Sequence, residues 1–368
     1  MGYVAVKGGQ EAIAESNKRL EYLRIQSGRT LDVADIQASM KPLIDQVMSE
    51  SSLYDEELAA LAVKQAGGSM EEAVFLLRAH RSTLPRLYYT TTTDTKNMAV
   101  ERRVSSSFKD IPGGQILGTA LDFTQRFLDF DLFNEAPSDL CEKRATFEEE
   151  PVPESNLDLR QLTKVIDYLE EVGLYQRPAM DNTEPDDITK KSIQFPASRS
   201  QRLQSLTRGQ TGAVTSLGYA EIRGFGVAVH PNIGELRIGE LPLYVQMDQE
   251  DNEEDEYYLG AITVTEVEGF IPVDVVNEAG QTTQDFAIGY GFTFGQNETK
   301  AIAMSVLDYA LEYKDPEYPT ANEEFVLLHI DSVESSGFIS HLKLPHYVTF
   351  QSKLDSMRKM KNKGGDEA

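Results

Sequence analysis

The chain has 368 residues, in which 60 Asp plus Glu outweigh 35 Lys plus Arg to give a formal net charge of −25 at pH 7. A surface so acidic repels phosphate backbones and anionic lipid heads, which excludes general nucleic-acid binding and attachment to a membrane surface. A single cysteine, Cys141, leaves no internal disulfide framework and no multi-thiolate metal cluster held by this chain alone. The length predicts two to three domains. With no basic, apolar leader and no run of about 18 apolar residues, a cytoplasmic protein without membrane insertion is expected.

In chain order, a short apolar strand, Tyr3 to Val6, is predicted first, followed by helices over 10–27 and 32–50, the second bent or split at Pro42. Asp55 to Ala66 places Leu58, Ala62 and Ala66 on one helical face and stops at Gly67-Gly68. Ser69 and Glu72 form a capping box that opens a helix halting before Pro85. The Thr-rich stretch that follows is too polar for core, and Pro112-Gly113-Gly114 has turn chemistry. A further amphipathic helix is expected from Ala120 to Phe133. The acidic, Pro-rich residues 134–156 read as a linker between a helical domain, 1–133, and a second domain, 157–368. The second domain should open with a helix, Leu157 to Val172. Gly-bounded runs between 213 and 294, GAVTSLGYAEIRGFG among them, suit strands and hairpins, one of which carries an acidic, solvated loop from Asp248 to Glu256. Helices Glu298 to Tyr313 and Val348 to Met360 close the chain. The fold class is therefore α+β: an N-terminal helical bundle, then a C-terminal domain with a mixed or antiparallel sheet, hairpins and helices.

Cations stand out in so acidic a chain. Arg199, Arg202 and Arg208 lie in SRSQRLQSLTRG, and Arg102, Arg103 and Lys109 flank the Gly113-Gly114 turn. Arg199 and Arg202 are i, i+3 on a helix and can offer bidentate contacts to a polyphosphate, while the glycine turn can turn backbone N–H groups toward phosphate oxygens. The competing reading is that these arginines pair with the abundant carboxylates. His341 and His346 in SHLKLPHYV would diverge on a continuous helix, but Pro345 ends it, and a turn could then bring two imidazoles together as half of a site for zinc or another divalent metal. A structural pair is the alternative. Asp186 and Asp187 in EPDDITK are either an acid/base pair or loop and cap residues. No nucleophile elbow, H-E-x-x-H or dinucleotide fingerprint occurs.

Along these segments, from YVAVKGGQEAI through ERRVSSSFKDIPGGQILG, PDDITK, PASRSQRLQSLTRG and GYGFTFGQNETKAIAM to EEFVLLHIDSVESSGFISHLKLPHYVTF, the sequence resembles the PhnI family of the bacterial carbon–phosphorus lyase pathway. It departs from that pattern at Gln125 and Ile288. The resemblance implies a pentosyl transferase that, with companion subunits, displaces adenine from MgATP with an alkylphosphonate to give α-D-ribose 1-methylphosphonate 5-triphosphate, and that alone acts as a purine-nucleotide nucleosidase. It also implies companion subunits that include the radical iron–sulfur lyase, and a metal-binding histidine pair at His341 and His346. On this reading the arginine clusters serve the triphosphate and phosphonate, and Asp186 or Asp187 assists the leaving purine. A non-catalytic, metal-binding scaffold that docks the lyase is the alternative.

Overall fold

The computed structural model describes residues 9–124, 126–151, 159, 162–178, 183–226, 231–247, 256–276, 280–313, 315, 317–343 and 347–365. The expected strand at Tyr3 to Val6 and most of the acidic loop from Asp248 lie outside them. The chain makes two compact units, the first from Met1–Leu87, Asn182–Val229 and Gly289–Ala368, the second from Tyr88–Asp181 and His230–Ile288. Residues 134–156 thus fall inside the second unit and do not bound it.

In the first unit, α1 (Gly9–Ile25) buries none of its side chains. The expected break near Pro42 separates α2 (Val33–Ser39) from α3 (Lys41–Ser51), whose first turn accepts the proline because no intrahelical donor is lost there. Asp55 accepts from the Leu58 N–H to start α4 (Glu56–Gln65), and Gly67 and Gly68, at φ +61° and +86°, end it in a conformation that side chains resist. Ser69 accepts from the Glu72 N–H at the start of α5 (Met70–Arg81). Helices α2 to α5 enclose a core that includes Ile36, Ile44, Met48, Val63 and Leu77.

A second core of this unit gathers around α10 (Glu298–Tyr313), where Met304, Leu307 and Leu311 are fully buried. It is joined by α8 (Arg199–Arg208), opened by a Ser198–Gln201 capping box, and by α9 (Thr211–Ala220). The run GAVTSLGYAEIRGFG is therefore helical where strand was expected. Its small residues serve close helix packing: a Cβ on Gly218 would lie 2.9 Å from the Ala303 Cβ. Helices α11 (Glu323–His329), α12 (Ser332–Ser340) and α13 (Tyr347–Gly365) follow.

The second unit is built on β1 (Ala99–Val104), β2 (Asn232–Gln246) and β3 (Glu256–Val276), with β4 (Thr282–Phe294) completing an antiparallel sheet in the order β1-β2-β3-β4. From Gly289 onward β4 belongs to the first unit. There the glycines of GYG bring the strand backbone onto α10, since a Cβ on Gly289 or Gly291 would lie 1.8 or 1.9 Å from the carbonyl oxygens of Ser305 and Ala301. Two elements differ from expectation. In place of one helix over 120–133 the described residues form two short 3₁₀ turns, Leu121–Phe123 and Phe130–Asn134, because the apolar side chains stay exposed and Asp129 caps a new turn by accepting from the Asp131 N–H. The supposed linker contains α6 (Pro137–Glu149), for which Pro137 is pre-set in the first turn, and no residue of it is buried. The helix expected from Leu157 starts only at Val165, as α7 (Val165–Glu171), because the preceding Lys164 adopts extended backbone. Val165 and Leu169 pack against Ile111 and Phe270, with Ile288 beside them.

Beneath α7 the sheet carries a buried ionic network. The register sets Arg103 opposite Arg237 and Arg237 opposite Glu266. Arg103 Nε lies 2.7 Å from Glu235, Arg237 pairs with Glu266, and Lys164 Nζ reaches Glu266 at 3.1 Å and Glu268 at 2.5 Å. Three cations thus interlock with three acidic side chains out of reach of water, where an unpaired charge is costly. Burial works against ionised Glu266, but Arg237 and Lys164 prevail and hold its pKa down to about 2. Glu268 is pushed up to about 7, chiefly by burial, which Lys164 offsets only in part while Glu266 repels it. One oxygen of Glu268 has no hydrogen-bond partner among the described residues.

The consequence for stability has a definite sign. Glu268 ionises near 4.5 when unfolded but near 7 when folded, so its contribution is complete below pH 4.5 and declines as pH rises toward 7. We expect the stability of wild type relative to Glu268→Gln to fall across that interval in urea unfolding at a series of pH values. Parallel curves would show that Glu268 does not titrate there.

Candidate functional site

Each sequence-predicted site residue can be placed except one. In the second unit Arg102 is buried, donating to the Leu117 carbonyl at 2.6 Å and pairing with Asp122 at 2.6 Å. Arg103 is fully buried in the ionic network and donates to the carbonyls of Pro112 and Thr163. Lys109 is exposed beside the Phe108 ring. Gly113 and Gly114 are in left-handed turn conformation, φ +85° and +56°, and the Gly114 N–H donates to the Ile111 carbonyl. These arginines bind the unit's own oxygens, and the turn is a backbone reversal.

In the first unit, α8 presents two of its arginines to α10. Arg199 pairs with the buried Asp308 at 2.7 Å, and Asp308 also accepts from the Tyr290 N–H at 3.0 Å, so one carboxylate joins α8, β4 and α10. One helical turn further on, the buried Arg202 pairs with Glu312, approaches Glu323 at 3.4 Å and donates to the Ala197 carbonyl at 3.0 Å. The i, i+3 spacing does put both guanidinia on one face, where they meet carboxylates.

Arg208 differs. It lines a cleft of about 290 Å³, together with the loop Ile188 to Ile193, Ser205 and the segment from Leu327 to Glu334. Lys190 and Lys191 are on the cleft wall, as are Asp331 and Glu334. Arg78 forks Asp331 from α5 at 2.8 and 2.7 Å, and Arg86 pairs with Asp187 at 3.3 Å. The positive charges crowd one another. Burial, then Arg208, Arg78 and Arg86, pulls Arg81 down to about 10, and burial followed by Arg78 lowers Arg208.

Asp186 and Asp187 adjoin the cleft loop in sequence and are held in it. Asp186 accepts from Ser198 Oγ at 2.6 Å, and Asp187 accepts from the N–H of Thr189 at 2.8 Å and from its hydroxyl. Their carboxylates brace the loop that forms the cleft wall. His341 begins a 3₁₀ turn after α12, with its ring against Phe338 and its Nδ1 on the Phe338 carbonyl. His346 lies outside the described residues. Among the described residues no three His, Cys, Asp or Glu side chains stand together as metal ligands.

Sequence reading overlooked Arg78, Arg81, Arg86, Lys190 and Lys191. The Arg78 and Arg81 spacing on α5 was visible, but nothing local separates a buried guanidinium from a solvated one. No described helix is long and apolar enough to cross a membrane.

Residues 2–364 match the family described as bacterial phosphonate metabolism protein (PhnI). The chain is 41% identical to the alpha-D-ribose 1-methylphosphonate 5-triphosphate synthase subunit PhnI of Rhizobium meliloti (strain 1021), over 98% of this chain and 95% of the relative. It is also 41% identical to the Escherichia coli (strain K12) protein of the same name, over 97% and 98%, and to HtxH of Stutzerimonas stutzeri, named as a C-P lyase subunit protein, over 99% and 97%.

Arg202 tests the division between structural and ligand-facing arginines. Arg202→Ala removes charge-assisted bonds within the unit, each worth roughly 1.5–3 kcal/mol when buried, although the exposed Glu312 contributes little. A lower melting temperature is expected, and an unchanged one would show that Arg202 is not holding α8 to its neighbours.

Proposed function

Because the chain belongs to the PhnI family of bacterial phosphonate metabolism proteins, we propose that it is the subunit in which a phosphonate displaces adenine from MgATP. The observation that carries this reading is the product in the relatives' name, α-D-ribose 1-methylphosphonate 5-triphosphate, at 41% identity over nearly the whole chain. Such a product differs from a nucleoside triphosphate only at C1′, where a phosphonate oxygen replaces the base. ATP is a β-glycoside and the product is α, so one displacement from the face opposite the base accounts for the stereochemistry. The phosphonate oxygen forms the new bond to C1′, the C1′–N9 pair leaves with the purine, and the purine takes up a proton. With water as the nucleophile, the same site is a purine-nucleotide nucleosidase.

Three demands follow from an oxocarbenium-like transition state: cations for the triphosphate, a proton donor for the purine, and an anion held behind C1′. The basic cleft at Arg208, Lys190 and Lys191 supports the first. We assign Asp186 or Asp187, beside that cleft loop, to the purine. Magnesium arrives with the nucleotide and needs few protein ligands.

We also assign His341 and His346 to one zinc or other divalent ion. With Nδ1–H given to the Phe338 carbonyl, the His341 ring carries its lone pair on Nε2, the tautomer a metal ligand needs. Two imidazoles are too few for a closed site, so water, a substrate oxygen or a partner chain must complete it. A bound divalent ion there would supply Lewis-acid orientation of a phosphate-type oxygen. Companion subunits, the radical iron–sulfur lyase among them, are proposed partners. The run from Leu121 to Phe133 supports such an assembly, because its Phe127 and Phe133 are 85% and 83% exposed.

Following adenine release from MgATP, with and without companion subunits and methylphosphonate, tests the reading. We expect adenine from the protein alone and the ribosyl phosphonate only from the full mixture. No adenine in any mixture would leave a docking scaffold in its place. For the metal, His341→Ala should lower the zinc content of the purified assembly, whereas equal zinc in variant and wild type would end that assignment.

A further inference from the structure

We infer that α13 is a docking helix, which lays an apolar stripe flanked by cations into an acid-rimmed groove on a companion subunit. The existence of a companion rests on the function proposed above, whereas the helix is read from this chain alone. Four helices, α1, α6, α12 and α13, bury none of their described side chains, and their charges set the last apart. In α1 three acids meet three bases, with Lys18 paired to Glu15 and Arg24 to Glu21. In α6 four acids outnumber two bases, and α12 has an acid, Glu334, and no base. The sequence of α13 has five Lys or Arg and a single Asp, in a chain of net charge −25.

These cations lack counter-charges. Arg358 pairs with Asp355 one turn back at 2.9 Å, and no acid among the described residues pairs with Lys353, Lys359 or Lys361. Like charges one turn apart, such as Arg358 and Lys361, weaken a solvated helix, so an acidic surface laid along α13 stabilises it. The apolar residues are spaced to match. At about 100° per residue Phe350, Leu354 and Met357 fall within about 60° of one another, Lys361 continues their stripe, and Lys353 and Arg358 border it. Phe350 and Met357 are 60% and 52% exposed. Anchors at i, i+4 and i+7 are those of a helix seated in a groove, where lysine stems cover the rim and their amines reach acids beyond it. Two whole chains of net charge −25 repel one another, and an anionic membrane repels each, so the groove belongs to neither. It belongs to a companion that is less acidic overall and acidic where α13 lies.

The test co-expresses the full chain with the companion subunits and measures the mass of the purified assembly by light scattering at low and at high salt. Lys353, Lys359 and Lys361 are exposed, so their joint replacement by Glu keeps the fold. We expect the reversed helix to weaken retention of a companion at least about tenfold at low salt, and wild type to lose the same companion as salt rises. Phe350→Ala with Met357→Ala should release it as well, through the stripe instead of the charges. Carbodiimide coupling, which joins an amine to a carboxylate in contact, should link these lysines to acids of the companion. Full assembly by both variants, or no assembly of wild type with any companion, would overturn the proposal. So would links to a second copy of this chain, or binding of the chain to phosphatidylserine vesicles that is lost on charge reversal. Adenine release by the chain alone is read separately and should be equal in wild type and variants. A chain that releases no adenine yet loses a companion on charge reversal supports the docking helix and counts against the proposed function. One that releases adenine and still assembles with the reversed helix at unchanged salt sensitivity overturns the docking helix alone.

Discussion

Asp331 receives four hydrogen bonds, and much of the first unit is arranged around that fact. It starts α12 by accepting two backbone N–H groups and ties that start to α5 through the Arg78 fork. Arg78 in turn donates to the carbonyls of Glu50, at the end of α3, and Arg208, at the end of α8. Arg208 Nε stands 3.6 Å from Oδ2, the oxygen that otherwise takes the Arg78 bond. One carboxylate thus faces two guanidinia and cannot balance the charge of both.

The two units treat buried charge in opposite ways. In the second, cross-strand register places Arg237 beside Glu266, while Lys164, at the start of α7, bridges Glu266 and Glu268. Removing any partner there would strand a charge away from water, so the network fixes the pairing of strands with α7. In the first unit the cations outnumber the acids at a surface that opens to solvent. Arg103 lies fully buried 2.7 Å from Glu235, whereas Arg208 lines the open cleft, a difference that sequence position does not show.

How much of this was legible depended on how far each signal reaches along the chain. Caps and stops are local, so Asp55, Gly67-Gly68, Ser69 and the span of α10 were readable. The helix at α9 was not, because its Gly, Val and Thr content resembles strand and its helicity depends on Gly218 meeting Ala303, 85 positions away. Glu235 with Arg237, and Glu266 with Glu268, alternate with apolar residues as the wet face of an antiparallel strand would. Only the register shows that both faces are buried. Family membership was legible from motifs spread along the whole chain, whereas the cleft assembles Arg208 with side chains from distant segments.

The threading of the chain between units has a consequence for biosynthesis. The polypeptide enters the first unit, leaves it at Leu87, returns at Asn182, leaves again at Val229 and returns for good at Gly289. Arg78 emerges from the ribosome 253 residues before the carboxylate that will neutralise it. Until then the nascent first unit holds unpaired guanidinia and the uncovered apolar faces of α8 and α9, which await α10. Closing contacts across such spans is entropically slow, and half-built cores of this kind are the species that aggregate or engage chaperones. Neither unit can be released intact by a single cut in the chain.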